Sequence, residues 1–179
     1  MPYLPSGTEL LNPFQILERA GVKEGMRVAD LGSGAIGHFV FPAGRMVGKN
    51  GAVYAVDILK SALAGVESRA KIEGAANVQT VWADIEVVGA TNIPAGTLDI
   101  VLLINNLPKQ SMVAEAVRLL KPGGKLLVVD WSPTASPFGP PSKDRVDKET
   151  AKRLAAEQKL RLKDEFQAGR YHYGLVFEK

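Results

Sequence analysis

Residues 28–37 read VADLGSGAIG, an apolar run that ends in an aspartate and is followed by glycines at positions 32, 34 and 37. Glycines permit a sharp turn from a strand into a helix, and they let a ligand approach the backbone closely. The spacing G-x-G-x-x-G is therefore typical of a nucleotide-binding turn. A chain with 18 glycines also produces such spacings by chance, so the surrounding sequence has to decide the meaning of this one.

Length and composition predict one domain with a single core. The 179 residues are 46% hydrophobic, which suffices for one sizeable core but not for a cofactor domain plus a separate substrate domain. The chain has no cysteine, which excludes disulfides, thiolate metal sites and a cysteine nucleophile, and its net charge of +3 does not by itself indicate nucleic acid. The longest apolar run, residues 100–104, is far shorter than the roughly 20 residues of a membrane helix. We expect one cytoplasmic domain over residues 1–179, with no membrane partner and no metal site.

Strand-like runs alternate with helical patterns along the chain. Short apolar and β-branched runs bounded by turn residues predict strands at 27–32, 52–58, 78–84, 98–104 and 125–131. Helical spacing predicts helices at 61–73, 110–120 and about 147–158. The final stretch, LRLKDEFQAGRYHYGLVFEK, predicts two antiparallel strands joined at QAG. The fold class is therefore α/β: a doubly wound, Rossmann-like sheet of about seven strands, mostly parallel, with an antiparallel C-terminal hairpin and helices on both faces.

Acidic residues close three of the predicted strands, at Asp30, Asp57 and Asp84. In a parallel sheet the ligand binds beyond the carboxyl ends of the strands, so these side chains are expected at the site. Asp57 can accept both hydrogen bonds of a ribose diol, and Asp84 can accept one from an adenine amine. A carboxylate at position 30 would repel a pyrophosphate but attract an amino group and a sulfonium. The three acids favour a cationic nucleoside, although Asp57 and Asp84 could also simply cap the next helices.

These residues resemble class I S-adenosylmethionine-dependent methyltransferases. The matching stretches are VADLGSGAIG, VYAVDI, VWADI, LDIVLLINNLP and LKPGGKLLVVDW, in the order of that family and covering residues 26–131. The segment before the loop, NPFQILERAGVKEGMRVADLG, and the C-terminal tail are similar to the group that includes methyltransferases of quinone biosynthesis. The family usually has D-x-G-x-G-x-G, so Ile36 is an apparent one-residue insertion after Gly34.

The resemblance implies S-adenosyl-L-methionine as the cofactor. It assigns the first part of the glycine loop to the methionine end of the cofactor, the end of the second strand to the ribose, and the end of the third strand to the adenine. The predicted cofactor-binding residues are Asp30, Gly32, Ser33, Gly34, Gly37, Asp57, Ile58, Asp84, Ile85 and Asn105.

Methyl transfer from a sulfonium is an in-line displacement, so the protein mainly has to align the acceptor and exclude water. We expect the acceptor between residues 3–14, the turn 105–109 and the proline-rich loop after residue 131, with an N-terminal helical segment at 1–25 forming part of that side. The predicted acceptor-binding residues are Trp131, Phe138 and Tyr171, and the candidate catalytic residues are His172 and Asn106. A histidine in a strand is more often a packed residue than a base, so both interpretations of His172 stay open here.

The sequence thus predicts a methyltransferase with a small organic acceptor, and it leaves RNA or protein acceptors as alternatives. NNLP at 105–108 is not the signature of enzymes that methylate exocyclic base amines, and cysteine is lacking for methylation at C5 of pyrimidines or for thiol-bound arsenite. An NAD(P)-dependent oxidoreductase is disfavoured because of Asp30 and because no Tyr-x-x-x-Lys pair occurs. A noncatalytic cofactor-binding protein is the third hypothesis, and the sequence predicts no oligomeric state.

Overall fold

The computed structural model describes residues 10–106 and 108–179 of the chain. Within these residues the strands are β1 (Arg27–Leu31), β2 (Ala52–Asp57), β3 (Val78–Trp82), β4 (Leu98–Ile104), β5 (Leu120–Trp131), β6 (Arg161–Gly169) and β7 (His172–Glu178). The helices are α1 (Pro13–Ala20), α2 (Val40–Val47), α3 (Lys60–Glu73), α4 (Gln110–Leu119) and α5 (Lys148–Glu157), with a short 3₁₀ turn at Ser142–Asp144.

The strands form one seven-stranded sheet in the order β3-β2-β1-β4-β5-β7-β6. Strands β1 to β5 run parallel, whereas β7 lies between β5 and β6 and is antiparallel to both. The chain winds from β1 outward to β3 and then returns to β4, so the topological switch point lies between β1 and β4. This topology confirms the predicted α/β class, with its mostly parallel sheet and its antiparallel C-terminal strand.

Both faces of the inner strands are buried, whereas the edge strands β3 and β6 are half-buried or exposed. Side chains of α1, α2 and α3 pack on one face, called the α1 face below, and those of α4 and α5 pack on the other. Strand residues alternate between the two faces, as in β4, where Leu102 packs on the α1 face and Leu103 on the opposite one. Burial on both sides explains why the sequence of these strands is apolar without alternation.

The first described helix lies inside the predicted N-terminal helical segment. Asn12 caps α1 by accepting a hydrogen bond from the backbone N–H of Gln15 at 3.3 Å, and Pro13 begins the helix. Gly21 ends it in the left-handed conformation, with φ of +86°. The part of the predicted acceptor side that falls on residues 1–9 lies outside the described residues.

The position of the C-terminal turn differs from the prediction. QAG at 167–169 was expected to join the two strands, but this is wrong, because β6 continues to Gly169 and the turn is formed by Arg170 and Tyr171. The pairing of β6 with β7 shifts its register between Gln167 and Gly169 and continues beyond the shift. A Cβ atom at Gly169 would collide with the backbone oxygen of Leu10. The glycine therefore permits close packing of the N-terminal segment.

Candidate active site

The glycine-rich turn starts where β1 ends, and its backbone joins β1 to β2. The N–H groups of Gly32 and Ser33 both donate to the carbonyl of Val56, at 2.8 and 3.0 Å. Gly34 has a φ of +63°, which side chains rarely adopt, and a Cβ atom there would meet nothing within 4 Å. The backbone at Gly34 therefore faces open space that a ligand can occupy.

The residue that departs from the family spacing lies on the outside of this turn. The side chain of Ile36 is 66% exposed, and its carbonyl accepts a hydrogen bond from Nη1 of Arg69 on α3 at 2.7 Å. The following glycine, Gly37, still has a positive φ of +55° and packs against the ring of Phe41. The additional residue is thus accommodated on the α3 side of the turn.

Asp57 connects the end of β2 to the glycine turn. Its Oδ2 accepts a hydrogen bond from the N–H of Gly34 at 3.0 Å, and its Oδ1 accepts one from the N–H of Leu59 at 2.9 Å. A carboxylate has about four lone-pair positions, so two remain for a ligand. The carboxylate is thereby held in a defined orientation beside Gly34.

The ends of β2 and β3 present a partly apolar edge. Ile58 is 55% exposed, and its carbonyl accepts a hydrogen bond from Nε1 of Trp82 at 2.8 Å. Ile85 is buried, and Oδ1 of Asp84 accepts a hydrogen bond from the N–H of Glu86 at 2.8 Å. The exposed surface of Ile58 suits a flat apolar group such as a nucleobase.

A small, partly open cavity lies where β1 and β4 end. Its volume is about 130 Å³, and its lining includes Asp30, Ser33 and His38. Burial, together with the negative charge of Asp57, raises the pKa of Asp30 to about 7. The hydroxyl of Ser33 is buried without a hydrogen-bond partner among the described residues. A buried polar group without a partner is unfavourable, so these groups are suited to a polar, positively charged ligand.

Two of the predicted residues form the turn after β4. Asn105 lines the same cavity and has a positive φ of +54°, which asparagine tolerates better than most residues. The side-chain amide of Asn106 donates to the carbonyls of Leu31 and Ile104, at 2.6 and 3.1 Å, and therefore ties the ends of β1 and β4 together. Its observed contacts are those of a positioning residue, and its predicted catalytic role stays a prediction.

Four residues, Asp30, Ile104, Trp131 and His172, lie on the α1 face of the sheet, near the edge where the parallel strands end, which is called the ligand edge below. The register pairs Asp30 with Leu102, Ile104 with Val129, and Trp131 with His172, so each step across the sheet to Ile104 and then to Trp131 also moves two residues along the strands and keeps the same face. The last strand thus begins at the same edge where the parallel strands end. His172 is two strand spacings from Ile104, or roughly 10 Å sideways.

The proline-rich loop covers the far end of this row, and one arginine holds it in place. Trp131 is only 9% exposed, and its indole packs against Gly139 and, at 4.0 Å between ring centroids, against His172. Arg145 is also buried and lies over the Trp131 ring at 5.2 Å. Its guanidinium donates hydrogen bonds of 2.8–2.9 Å to four loop carbonyls, those of Ser132, Thr134, Phe138 and Pro140.

His172 is a deeply buried polar residue of this region. It is 2% exposed, and neither ring nitrogen has a hydrogen-bond partner among the described residues. Burial and the nearby charge of Arg145 lower the pKa of its imidazole to about 4, so the ring is neutral near pH 7. An unpartnered buried group of this kind costs about 1–3 kcal/mol. The other predicted acceptor residues, Phe138 and Tyr171, contact each other with ring centroids 6.0 Å apart.

Sequence reasoning missed Arg145 and a second buried cluster around Glu115. Glu115 on α4 is fully buried and forms an ion pair of 2.7 Å with Arg118. It also accepts hydrogen bonds of 2.7 Å from the N–H of Gly89 and the hydroxyl of Thr91. The available signal was a glutamate and an arginine three residues apart next to the apolar side of a predicted helix, a pattern that normally indicates solvent-exposed residues.

Fold and site together define a Rossmann-like α/β protein with a cavity at the switch point of its sheet. The chain belongs to the methyltransferase domain family, whose model matches residues 22–172. This match confirms the family that the sequence motifs indicated. In the described residues no helix is long and apolar enough to cross a membrane, and no group of three or more His, Cys, Asp or Glu residues could hold a metal ion.

Curated relatives are similar to part of the chain. It is 36% identical over 121 residues to the ubiquinone/menaquinone biosynthesis C-methyltransferase of Shewanella pealeana, a match of 65% of this chain and 47% of that protein. It is 36% identical over 115 residues to the arsenite methyltransferase of Aquipseudomonas alcaligenes, a match of 60% of this chain and 33% of that protein. The chain thus spans about half the length of these relatives, or less.

A solved structure matches nearly the whole chain. The crystal structure of a SAM-dependent methyltransferase from Aquifex aeolicus superposes with a TM-score of 0.89 at 25% identity, covering 98% of this chain and 93% of that one. The agreement extends over all seven strands and therefore includes the C-terminal β6–β7 hairpin.

Proposed function

We propose that this protein transfers the methyl group of S-adenosylmethionine to a small organic acceptor. The observation that carries the proposal is the cavity at the end of β1, where the buried Asp30 lies near the unpartnered hydroxyl of Ser33. Beside it, the backbone of Gly34 faces open space and is held by Asp57. These residues fit a ligand with a cationic amino-acid end and a ribose, because carboxylates attract the former and accept hydrogen bonds from the latter.

S-adenosylmethionine supplies a methyl group on a positively charged sulfur, which an acceptor displaces in line. In this proposal Asp30 and Ser33 hold the amino-acid end, and Asp57 accepts the ribose hydroxyls with the lone pairs that Gly34 and Leu59 leave free. Ile58 and the end of β3 cover the adenine. The remaining task of the protein is to exclude water and to hold the acceptor beside Asn105, at the open end of the cavity.

Two observations support a small acceptor over RNA or protein. The relatives with similar sequences are named for C-methylation in quinone biosynthesis and for methylation of arsenite. In addition, the basic residues on α5 and β6 are paired with glutamates and so do not form a free cationic surface, as shown by Lys148, Lys152 and Arg161. Arsenite itself is disfavoured here because the chain has no cysteine to bind a soft ion.

Calorimetry against two classes of cofactor tests this proposal. Because Asp30 repels a pyrophosphate, we expect S-adenosylmethionine to bind at least about a hundredfold more tightly than NAD or NADP, a gap of ~2.7 kcal/mol. Tight nicotinamide binding would overturn the proposal. The acceptor class is then tested with S-adenosylmethionine carrying a labelled methyl group and a cell extract separated into small molecules, RNA and protein. Label appearing only in RNA or only in protein would contradict a small acceptor.

A further inference from the structure

Residues 132–145, called the strap below, cover a part of the ligand edge that the cofactor site does not use. Beneath the strap lie Trp131 and His172, which point to the same face of the sheet as Asp30 and Ile104. Both side chains are hidden, with exposed fractions of 9% and 2%.

One side chain, that of Arg145, orders the strap and lies over the Trp131 ring. Arg145 donates hydrogen bonds to four carbonyls of the loop that precedes it, and it pairs with no carboxylate in the described part of the chain. Gly139 packs so closely on Trp131 that a Cβ atom there would lie 2.6 Å from the indole. The strap is also joined to the turn before β7, because the N–H of Ser132 donates to the carbonyl of Tyr171 and the Phe138 ring contacts the Tyr171 ring. The guanidinium and the glycine are its contacts with Trp131, and a substitution can weaken either one.

The imidazole of His172 is an unused recognition group. A neutral imidazole has one N–H donor and one nitrogen acceptor, and neither has a partner in the residues that the structure describes. The same burial that keeps this ring neutral disfavours a charged ligand group next to it. A hydroxyl or a carbonyl satisfies the imidazole without adding charge, and the indole beside it suits an apolar or flat body.

We propose that Trp131 and His172 form a concealed subsite for the far end of the acceptor, which takes an uncharged hydroxyl or carbonyl group on an apolar body. Arg145 is the positioning residue that keeps the strap closed over this subsite. This proposal rests on the methyltransferase function proposed above and adds the chemistry of the acceptor. His172 lies two strands across and two residues along from Ile104, so the recognised group lies roughly 12 Å from the cofactor cavity.

Phenol and toluene test the subsite in the unmodified chain, since the two probes have similar size and differ in the hydroxyl. The chain has two histidines, so NMR signals of the imidazole rings are assigned with the single variant His38→Gln. We expect phenol to shift the His172 ring signals in a saturable way, and toluene at the same concentration to shift them clearly less, because it lacks the hydroxyl. Equal shifts with both probes, or no shift with phenol, would overturn the subsite.

Two independent substitutions test the strap. Arg145→Gln removes the hydrogen bonds to the loop, and Gly139→Ala pushes the loop off the indole. Because a larger open fraction raises apparent affinity, each should tighten phenol binding about threefold or more, and His172→Phe should abolish the effect. Weaker or unchanged phenol binding in both folded variants would contradict the role of Arg145.

Binding of S-adenosylmethionine is measured in parallel by calorimetry. Phenol shifts at His172 without cofactor binding would leave the subsite standing and overturn the methyltransferase proposal. Cofactor binding without phenol shifts would do the reverse.

Discussion

Asp30 is a buried carboxylate whose charge state depends on pH near neutrality. Burial and the charge of Asp57 raise its pKa from 3.8 to about 7. Because this pKa is higher in the folded than in the unfolded protein, protonation of Asp30 stabilises the ligand-free fold. The stabilisation is complete below the ordinary pKa of 3.8 and is lost as the pH rises through about 7. A cationic ligand favours the ionised carboxylate, so ligand binding and protonation of Asp30 oppose each other.

We therefore expect the affinity for S-adenosylmethionine to rise with pH. Ionisation of a group with a pKa near 7 implies an increase of about tenfold between pH 6 and pH 8, measured by calorimetry. Asp30→Asn removes the titrating group and should bind more weakly with little dependence on pH. A slope that persists in Asp30→Asn would assign the titration to another group.

Asp57 has two roles at once, because it orients the glycine turn and, in the proposed function, binds the ribose. Asp57→Ala should weaken S-adenosylhomocysteine binding by ~1.5–3 kcal/mol, the usual range for hydrogen bonds to a charged group. The two roles are separated by repeating the measurement with the 2′,3′-dideoxyribose analogue of this ligand. If the carboxylate contacts the ribose, Asp57→Ala should weaken binding of the analogue only slightly, because the analogue already lacks the hydroxyls of that contact. If Asp57→Ala weakens binding of the analogue as much as binding of S-adenosylhomocysteine, the contact is refuted.

At the scale of elements, Glu115 fastens the segment after β3 to helix α4. Burial alone would raise the pKa of Glu115, but hydrogen bonds from Arg118, Gly89 and Thr91 outweigh it and lower that pKa below its ordinary value of 4.5. The carboxylate therefore stabilises the fold above about pH 4.5, and this contribution is lost as the pH falls. Gly89 and Thr91 follow Asp84 and Ile85 closely in sequence, so fixing their position on α4 also helps to fix the proposed adenine site.

Glu115→Gln should lower the free energy of unfolding by ~2–3 kcal/mol, measured by urea denaturation at neutral pH. This is less than for a fully buried pair, because the Arg118 side chain is 24% exposed. Glu67→Gln is a matched control, since Glu67 bonds Thr80 at the surface and its loss should change stability by at most about 0.5 kcal/mol. If the two substitutions lower the free energy of unfolding equally, the buried cluster around Glu115 contributes no more to stability than a surface hydrogen bond.

The sequence predicts elements better than it predicts the contacts between them. Leu98–Ile104 was predicted with its observed bounds, and α3 and α5 within one residue at each end, because apolar periodicity reports burial directly. The C-terminal turn was misplaced because Gly169 is needed for packing against a segment distant in sequence. Arg145 was missed for a related reason. Its partners are backbone carbonyls, which leave no pattern in the sequence.

At the scale of the whole molecule, the position of the ligand edge was predictable, because parallel strands all have their carboxyl ends at the same edge of the sheet. Asp30 and Asp57 close adjacent parallel strands, so their proximity follows from topology once the strands are recognised. Which side chains are covered does not follow in this way. Trp131 and His172 lie at the predicted edge, but the sequence contains nothing to indicate that the strap hides them.

The position of β7 has a consequence for how the molecule is made. It follows β6 along the chain, yet it lies inside the sheet between β5 and β6. A ribosome adding 5–20 residues per second takes roughly 2–8 s from the end of β5 at Trp131 to the start of β7 at His172, and until then β5 lacks this neighbour. During synthesis the five strands from β3 to β5 can assemble, but the open edge of β5 stays available to other chains. The nascent protein therefore depends on the later-made β7 to close the edge of β5, and crowded synthesis or a ribosome stalled before β7 exposes it to aggregation.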